Sequence, residues 1–170
     1  TSFVEKNDLQ SSGKINGNAK VKDLNTKPLK KADLNITDFA FKKDTVGNIS
    51  VNVNNTIPNQ YDAQIAITGQ GNQVNLQGIY RAELSSFNLN LDIEKLNLKS
   101  IQGFTLGNLT ESTGFLNGKF EITGNTSQPK IIGQLKFNDI GFKATQLNAS
   151  FKSINDKIES LSTFGKEKFI

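Results

Sequence analysis

Apolar and polar residues alternate along most of this chain, and that period of two limits the possible folds more than any other feature. Ile49, Val51 and Val53 alternate with Asn and Ser, and Tyr61, Ala63, Ile65 and Ile67 repeat the pattern. A longer run holds Val74, Leu76, Tyr80, Ala82 and Leu84, with Gly78 in the same phase. After a change of phase at Ser85–Ser86 come Phe87, Leu89, Leu91 and Ile93. Leu116, Phe120 and Ile122, then Leu135 and Phe137, then Leu147, Ala149 and Phe151 carry the pattern onward. Side chains of a strand point alternately to its two faces, so each run describes a strand with one apolar and one wet face. Asn16–Gly17, Gly47–Asn48, Gly71–Asn72, Gly107–Asn108 and Gly124–Asn125 are read as turns between them. The expected fold class is therefore all-β, an extended antiparallel sheet.

Two stretches break the alternation. Between Leu96 and Thr113, Leu98, Ile101 and Phe104 fit one face of a short helix, which Gly103 and Gly107 limit to one or two turns. This segment reads as a connector or plug. In the tail, Ile158, Leu161 and Phe164 suit a helical turn as well as a strand.

Composition removes most chemistry. Leu, Ile, Val and Phe make up 50 of 170 residues, enough apolar side chain to fold. With no Cys there is no disulfide, thiolate or Cys-based zinc site, and with no His the commonest general base and metal ligand are missing. Asp92 and Glu94 alternate on one strand, and Asp38 and Asp44 lie close in sequence, but a calcium site needs denser oxygen ligands than these. Catalysis, metal and cofactor are not expected. The net charge of +4 comes almost wholly from Lys, which mostly alternates with apolar positions, as at Lys20, Lys22, Lys119 and Lys136. Lys27, Lys30 and Lys31, with Lys42 and Lys43, form the only cluster. Aromatic residues share the aliphatic phase rather than the Lys phase, so the basic, aromatic face of a nucleic-acid binder is not expected. Asn-x-Ser/Thr sequons such as those beginning at Asn35, Asn48, Asn108, Asn125 and Asn148 carry little weight in a chain with 21 Asn. The absence of Met and of any apolar run long enough to span a bilayer leads to a further expectation. The chain reads as a piece of a longer protein whose anchor or export signal lies elsewhere.

The chain also repeats. At an offset of 101, Ser11, Gly13, Asn16, Gly17, Pro28, Leu34, Asp38, Phe41 and Lys42 match Ser112, Gly114, Asn117, Gly118, Pro129, Leu135, Asp139, Phe142 and Lys143. Those nine identities fall within 32 ungapped positions, where about two are expected by chance. Ile15/Leu116, Val21/Ile122 and Ile36/Phe137 are conservative pairs on the apolar phase. The Gly pair of each unit reads as bracketing a turn or strand entry, and each Pro as opening a strand. The organisation expected is a first β-repeat region over 1–95, a connector over 96–111, and a second, incomplete repeat over 112–170.

The run from Gly114 through Gly118 to Gly124, then Pro129 to Gly133 and Phe137, resembles the repeat of the TamB translocation and assembly module family, part of the AsmA-like superfamily. The earlier unit departs from it, with Asp23 and Ala32 where the later one has Gly124 and Gly133. The resemblance implies a sheet curled into an open, taco-like groove built from repeats, with at most one or two short helical turns. It implies a periplasmic segment of an inner-membrane-anchored protein in a diderm bacterium. The partners implied are phospholipid acyl chains or outer-membrane client strands, with an outer-membrane assembly protein met through other regions. It brings no catalytic residues.

The residues expected to line such a groove are Leu34, Ile36, Ile49, Val51, Val53, Ile65, Ile67, Val74, Leu76, Leu89, Leu91, Leu116, Phe120, Ile122, Leu135, Phe137 and Phe151. The competing reading is a structural or adhesive β-repeat module that closes its core and binds a protein through its surface. The two differ in one observable: a groove leaves a contiguous apolar strip exposed, whereas a closed core does not.

Overall fold

The computed structural model describes residues 11–22 and 29–163. Asp23, Lys27, Pro28 and Phe164, invoked above, lie outside them. The chain forms β1 (Ser11–Lys22), β2 (Leu29–Phe41), β3 (Asp44–Ile57), β4 (Gln60–Gly69), β5 (Asn72–Arg81) and β6 (Ser86–Asn97). A short helix, α1 (Leu98–Ile101), and a 3-10 turn (Gln102–Thr105) lead into β7 (Leu109–Asn125), β8 (Pro129–Ala144) and β9 (Ala149–Thr163). The strands pair antiparallel in strict chain order, β1 to β9, as one sheet. The sheet is open and curled rather than closed, the all-β architecture expected.

Tight turns explain how the meander reverses. Gln70 and Gly71 both take left-handed φ values, 53° and 73°, the type I′ conformation whose twist matches a hairpin. Pro58–Asn59 joins β3 to β4, with Pro setting the first φ and Asn59 taking the left-handed one, 60°. Two of the expected turns are not turns. Asn16–Gly17 lies inside β1, and Gly47–Asn48 lies inside β3, where Gly47 makes a bulge opposite Phe39. Its φ is 114° and any Cβ would meet the Thr68 carbonyl of β4, so the glycine serves close backbone approach, not reversal. Gly13, Gly17, Gly114 and Gly118 likewise lie within strands rather than bracketing turns. The alternation through Ala82 and Leu84 also misleads, because β5 ends at Arg81 and both residues lie in the turn that follows. The described part of the tail, with Ile158 and Leu161, is strand β9 rather than a helical turn.

The 101-residue repeat is visible as geometry. Ile15 pairs with Ile36 and Gly17 with Leu34 in the β1–β2 hairpin. Leu116 pairs with Phe137 and Gly118 with Leu135 in β7–β8, the same register at the same offset. Each unit also carries the same bulge. Asp38 has φ 53° and Asp139 has φ 49°, and each donates its backbone N–H to an Asn side chain on the next strand. Asn48 Oδ1 accepts at 3.0 Å and Asn155 Oδ1 at 2.8 Å. The extra residue restores the apolar phase after the bulge, which is why Phe39 and Phe41, and Ile140 and Phe142, follow Ile36 and Phe137 by odd steps.

The described buried apolar residues are Phe41, Val46, Val74, Ile93, Leu116 and Ile140, and all lie toward one end of the sheet. That is the end where β2 meets β3, β4 meets β5, β6 meets β7 and β8 meets β9. There α1 and the 3-10 turn pack against β3, β6 and β7 as a cap. Phe104 of the 3-10 turn stacks on Phe41 with centroids 4.5 Å apart. Beneath the cap, the buried Asn72 donates to the Val46 carbonyl at 2.7 Å and to Ser100 Oγ at 2.9 Å, and accepts the Asn97 N–H at 2.8 Å. One amide thereby ties β3, β6 and α1 together. Gln102 adds a second tie, donating to Asp44 and accepting the Ser112 N–H. Removing a buried partner strands the groups it satisfied. Asn72→Ala should therefore lower stability by about 2–4 kcal/mol in urea unfolding, whereas Asn90→Ala on the exposed face should stay within about 0.5 kcal/mol of wild type.

Candidate functional site

Directly paired residues in an antiparallel sheet point to the same face, so the registers show what the alternation builds. Leu34 pairs with Val51, Val51 with Ile65, Ile65 with Leu76, Leu76 with Leu91 and Leu91 with Phe120. This single row crosses from β2 to β7, five strand spacings or roughly 24 Å. Beside it run Ile36, Ile49, Ile67, Val74 and Ile93, reaching Leu135 through Gly118. On the other flank Val53, Ala63, Gly78, Leu89 and Ile122 form a third row. Leu116 pairs with Phe137 near the cap, and Phe151 pairs with Phe142 with ring centroids 5.1 Å apart.

The expected lining residues thus share one face, but the face is not uniform. Val74 and Leu116 are buried, Phe151 is exposed, and the other fourteen are half-buried. The cap explains the difference. Apart from α1 and the 3-10 turn, each described strand makes its main contacts with its neighbours in the sheet, so no second layer covers the middle rows. Phe120 illustrates how the strip is filled. It faces Gly133, where a Cβ would stand 2.6 Å from its ring, so the absent side chain makes room for the aromatic one. Phe41, Val46, Ile93, Ile140 and Phe142 belong to the same apolar face and were missed as lining. For Phe41, Ile140 and Phe142 the sequence signal is the odd step after Asp38 and Asp139, which a strict period of two discards, whereas Ile93 continues the alternation of Leu89 and Leu91.

The opposite face is a lattice of amides and acids. Asn52, Gln64, Gln77, Asn90 and Glu121 form its central row. Two open hollows of about 660 and 630 Å³ lie on this side, lined mainly by those side chains with Asn54, Asp62, Asn75, Asp92 and Lys119. Val53, Ala63, Gly78, Leu91 and Phe120 are the strip residues that touch them. A twisted sheet is saddle-shaped, concave along different diagonals on its two faces, which accounts for hollows on the wet side.

Electrostatics adds no reactive group. Lys119 lies 2.9 Å from Asp92, and that hydrogen bond and charge hold its ammonium above the usual lysine value. Lys157 and Glu159, 2.8 Å apart, raise and lower one another in the same way. These pairs are exposed, where such contacts contribute little. Among the described residues, no three His, Cys, Asp or Glu side chains gather as a metal site, and no helix is long and apolar enough to cross a membrane. In comparisons with known proteins, no family model, curated protein or solved structure matches the chain. The likeness to the TamB repeat rests on the repeat residues alone.

The graded burial along the strip has a mutational signature. A carboxylate at an uncovered strip position remains hydrated, whereas one beneath the cap is trapped without a partner. Ile65→Asp should cost about 1–2 kcal/mol and Leu116→Asp about 3–5 kcal/mol, read from urea midpoints at constant slope.

Proposed function

We propose that this chain is a non-catalytic groove segment of a TamB-like envelope protein, and that its apolar strip shields lipid acyl chains between the inner and outer membranes. In this reading it works in the periplasm as part of an inner-membrane-anchored protein, supporting phospholipid transport and outer-membrane protein assembly. The observation that carries the proposal is the strip itself: a row of apolar side chains running unbroken from β2 to β7, half-buried, with no second layer over it among the described residues. A folded chain in water keeps such a surface bare only at a cost, and contiguous apolar patches beyond a few hundred Å² commonly mark interaction sites.

Magnitudes favour an acyl chain as the ligand. Each CH₂ removed from water contributes about 0.8 kcal/mol, so a chain of about 16 carbons lying half-covered along the strip gains on the order of 6 kcal/mol. No hydrogen bond or charge is required, which suits a face made of Leu, Ile, Val and Phe. A client β-strand is the second ligand that suits the same segment, because among the described strands β9 pairs only with β8 and has no neighbour on its other edge.

The test is native mass spectrometry with lipid extraction on protein expressed in the periplasm and purified without detergent. Stoichiometric phospholipid is expected, and Ile65→Asp or Phe120→Asp should remove it while circular dichroism remains sheet-like. Lipid-free wild-type protein, or lipid retained by both variants, would count against acyl shielding.

A further inference from the structure

The capped end of the sheet carries apolar loop tips that the strip does not use. Leu106 is 64 % exposed, Leu147 71 % and Phe104 51 %. Leu106 and Leu147 sit on adjoining loops. The Thr145 N–H donates to the Asn108 carbonyl at 3.0 Å, and Gln146 Nε2 donates to Asn108 Oδ1 at 2.9 Å. Leu106 also ends the 3-10 turn in the left-handed region, φ 54° and ψ 31°, with its N–H bonded to the Gly103 carbonyl. That position ordinarily falls to Gly or Asn, since a branched side chain there is strained. A large apolar residue that is both strained and exposed gains nothing for the fold, and such outliers concentrate where they serve binding.

A second anomaly lies at the same end. Lys42 and Lys43 form the β2–β3 turn with φ 49° and 74°, a type I′ turn built without glycine. Lys43 and Lys99 border one hollow of about 460 Å³ together with Ser100, Ser112 and Thr113. Ser112 is 5 % exposed, and its Oγ is a buried polar atom with no hydrogen-bond partner. Asp44 also borders this hollow, with its carboxylate accepting from Gln102 at 3.4 Å. Among the described residues, neither lysine has a carboxylate within ion-pair distance. Two ammonium groups that border one hollow, with no carboxylate within ion-pair distance among the described residues, form a setting for a phosphate oxygen.

We propose that this end of the sheet docks on an anionic phospholipid surface, with Leu106 and Leu147 entering the interface and a headgroup phosphate seated between Lys43 and Lys99. Apolar tips that enter the acyl boundary and lysines that meet the headgroups are complementary contributions to interfacial binding. The inference is independent of what the strip holds, because the tips lie outside the strip.

Flotation of the folded chain with vesicles tests it. Vesicles of phosphatidylglycerol and phosphatidylcholine in equal parts should carry the protein, and pure phosphatidylcholine should not. Lys43→Gln with Lys99→Gln should weaken binding about fivefold per charge removed, and Leu106→Asp with Leu147→Asp about tenfold or more. Leu106→Gly separates binding from folding. It should raise the urea midpoint by relieving the strained φ, yet reduce vesicle binding. Leu84→Asp at the opposite end should leave flotation unchanged, and lipid co-purification is read separately from flotation, so failure of lipid shielding and failure of docking are distinguishable. The proposal is overturned if neither vesicle binds, if the Leu106/Leu147 variant floats like wild type, or if Leu84→Asp abolishes binding equally.

Discussion

The buried amide of Asn72 is the interaction on which the rest of this fold depends. A single-layer sheet with one apolar face has no natural interior, because every side chain on that face needs a cover the sheet cannot supply. Here the cover is a few residues of α1 and its following 3-10 turn, too short to be stable alone. They are held by one side chain that satisfies a β3 carbonyl, a β6 N–H and a helix hydroxyl together. Phe104 on Phe41 then seals the end. Burial deepens toward this point and falls away from it, so the cap both supplies a core and leaves most of the apolar face uncovered.

Much of the sheet was legible because alternation is a direct readout of pleat geometry. Ile49, Val51 and Val53 can be strand residues with one inward face and little else, and the registers place them beside Ile67, Ile65 and Ala63. The illegible parts share one cause, which is backbone that departs from the pleat. The bulges at Asp38 and Asp139 insert a residue, so Phe41 and Ile140 fall out of phase in sequence while staying in phase in space. Glycine misleads for a related reason: Gly47 looks like a turn residue but makes room for the β4 backbone. Conversely, the Lys42–Lys43 turn has no glycine to announce it. The cap was recognised only as a break in pattern, since nothing local in Leu98–Thr105 shows that Asn72, more than twenty residues away, will hold it.

The strip and the wet face divide the sheet's physical roles. On one side, solvent is met by amides, acids and lysines that hydrate readily and discourage stacking of sheet on sheet. On the other, aliphatic rows remain half-exposed in a chain that is otherwise well satisfied. The asymmetry makes a surface suited to a ligand with no polar groups of its own. It also explains why the thin titratable inventory is no handicap, since recognition by such a surface depends on area and continuity rather than on placed charges.

The repeated register has a consequence for scale. β1–β2 and β7–β8 are the same hairpin in the same phase, six strands apart. At the strand spacing of a sheet, that separation is about 29 Å. Iterating the unit lengthens the apolar rows by that increment, because away from the cap each strand pairs with its neighbours in the sheet. The length of such a sheet is therefore counted in units, and a duplication or deletion changes that length while leaving the side chains of the apolar face the same in kind.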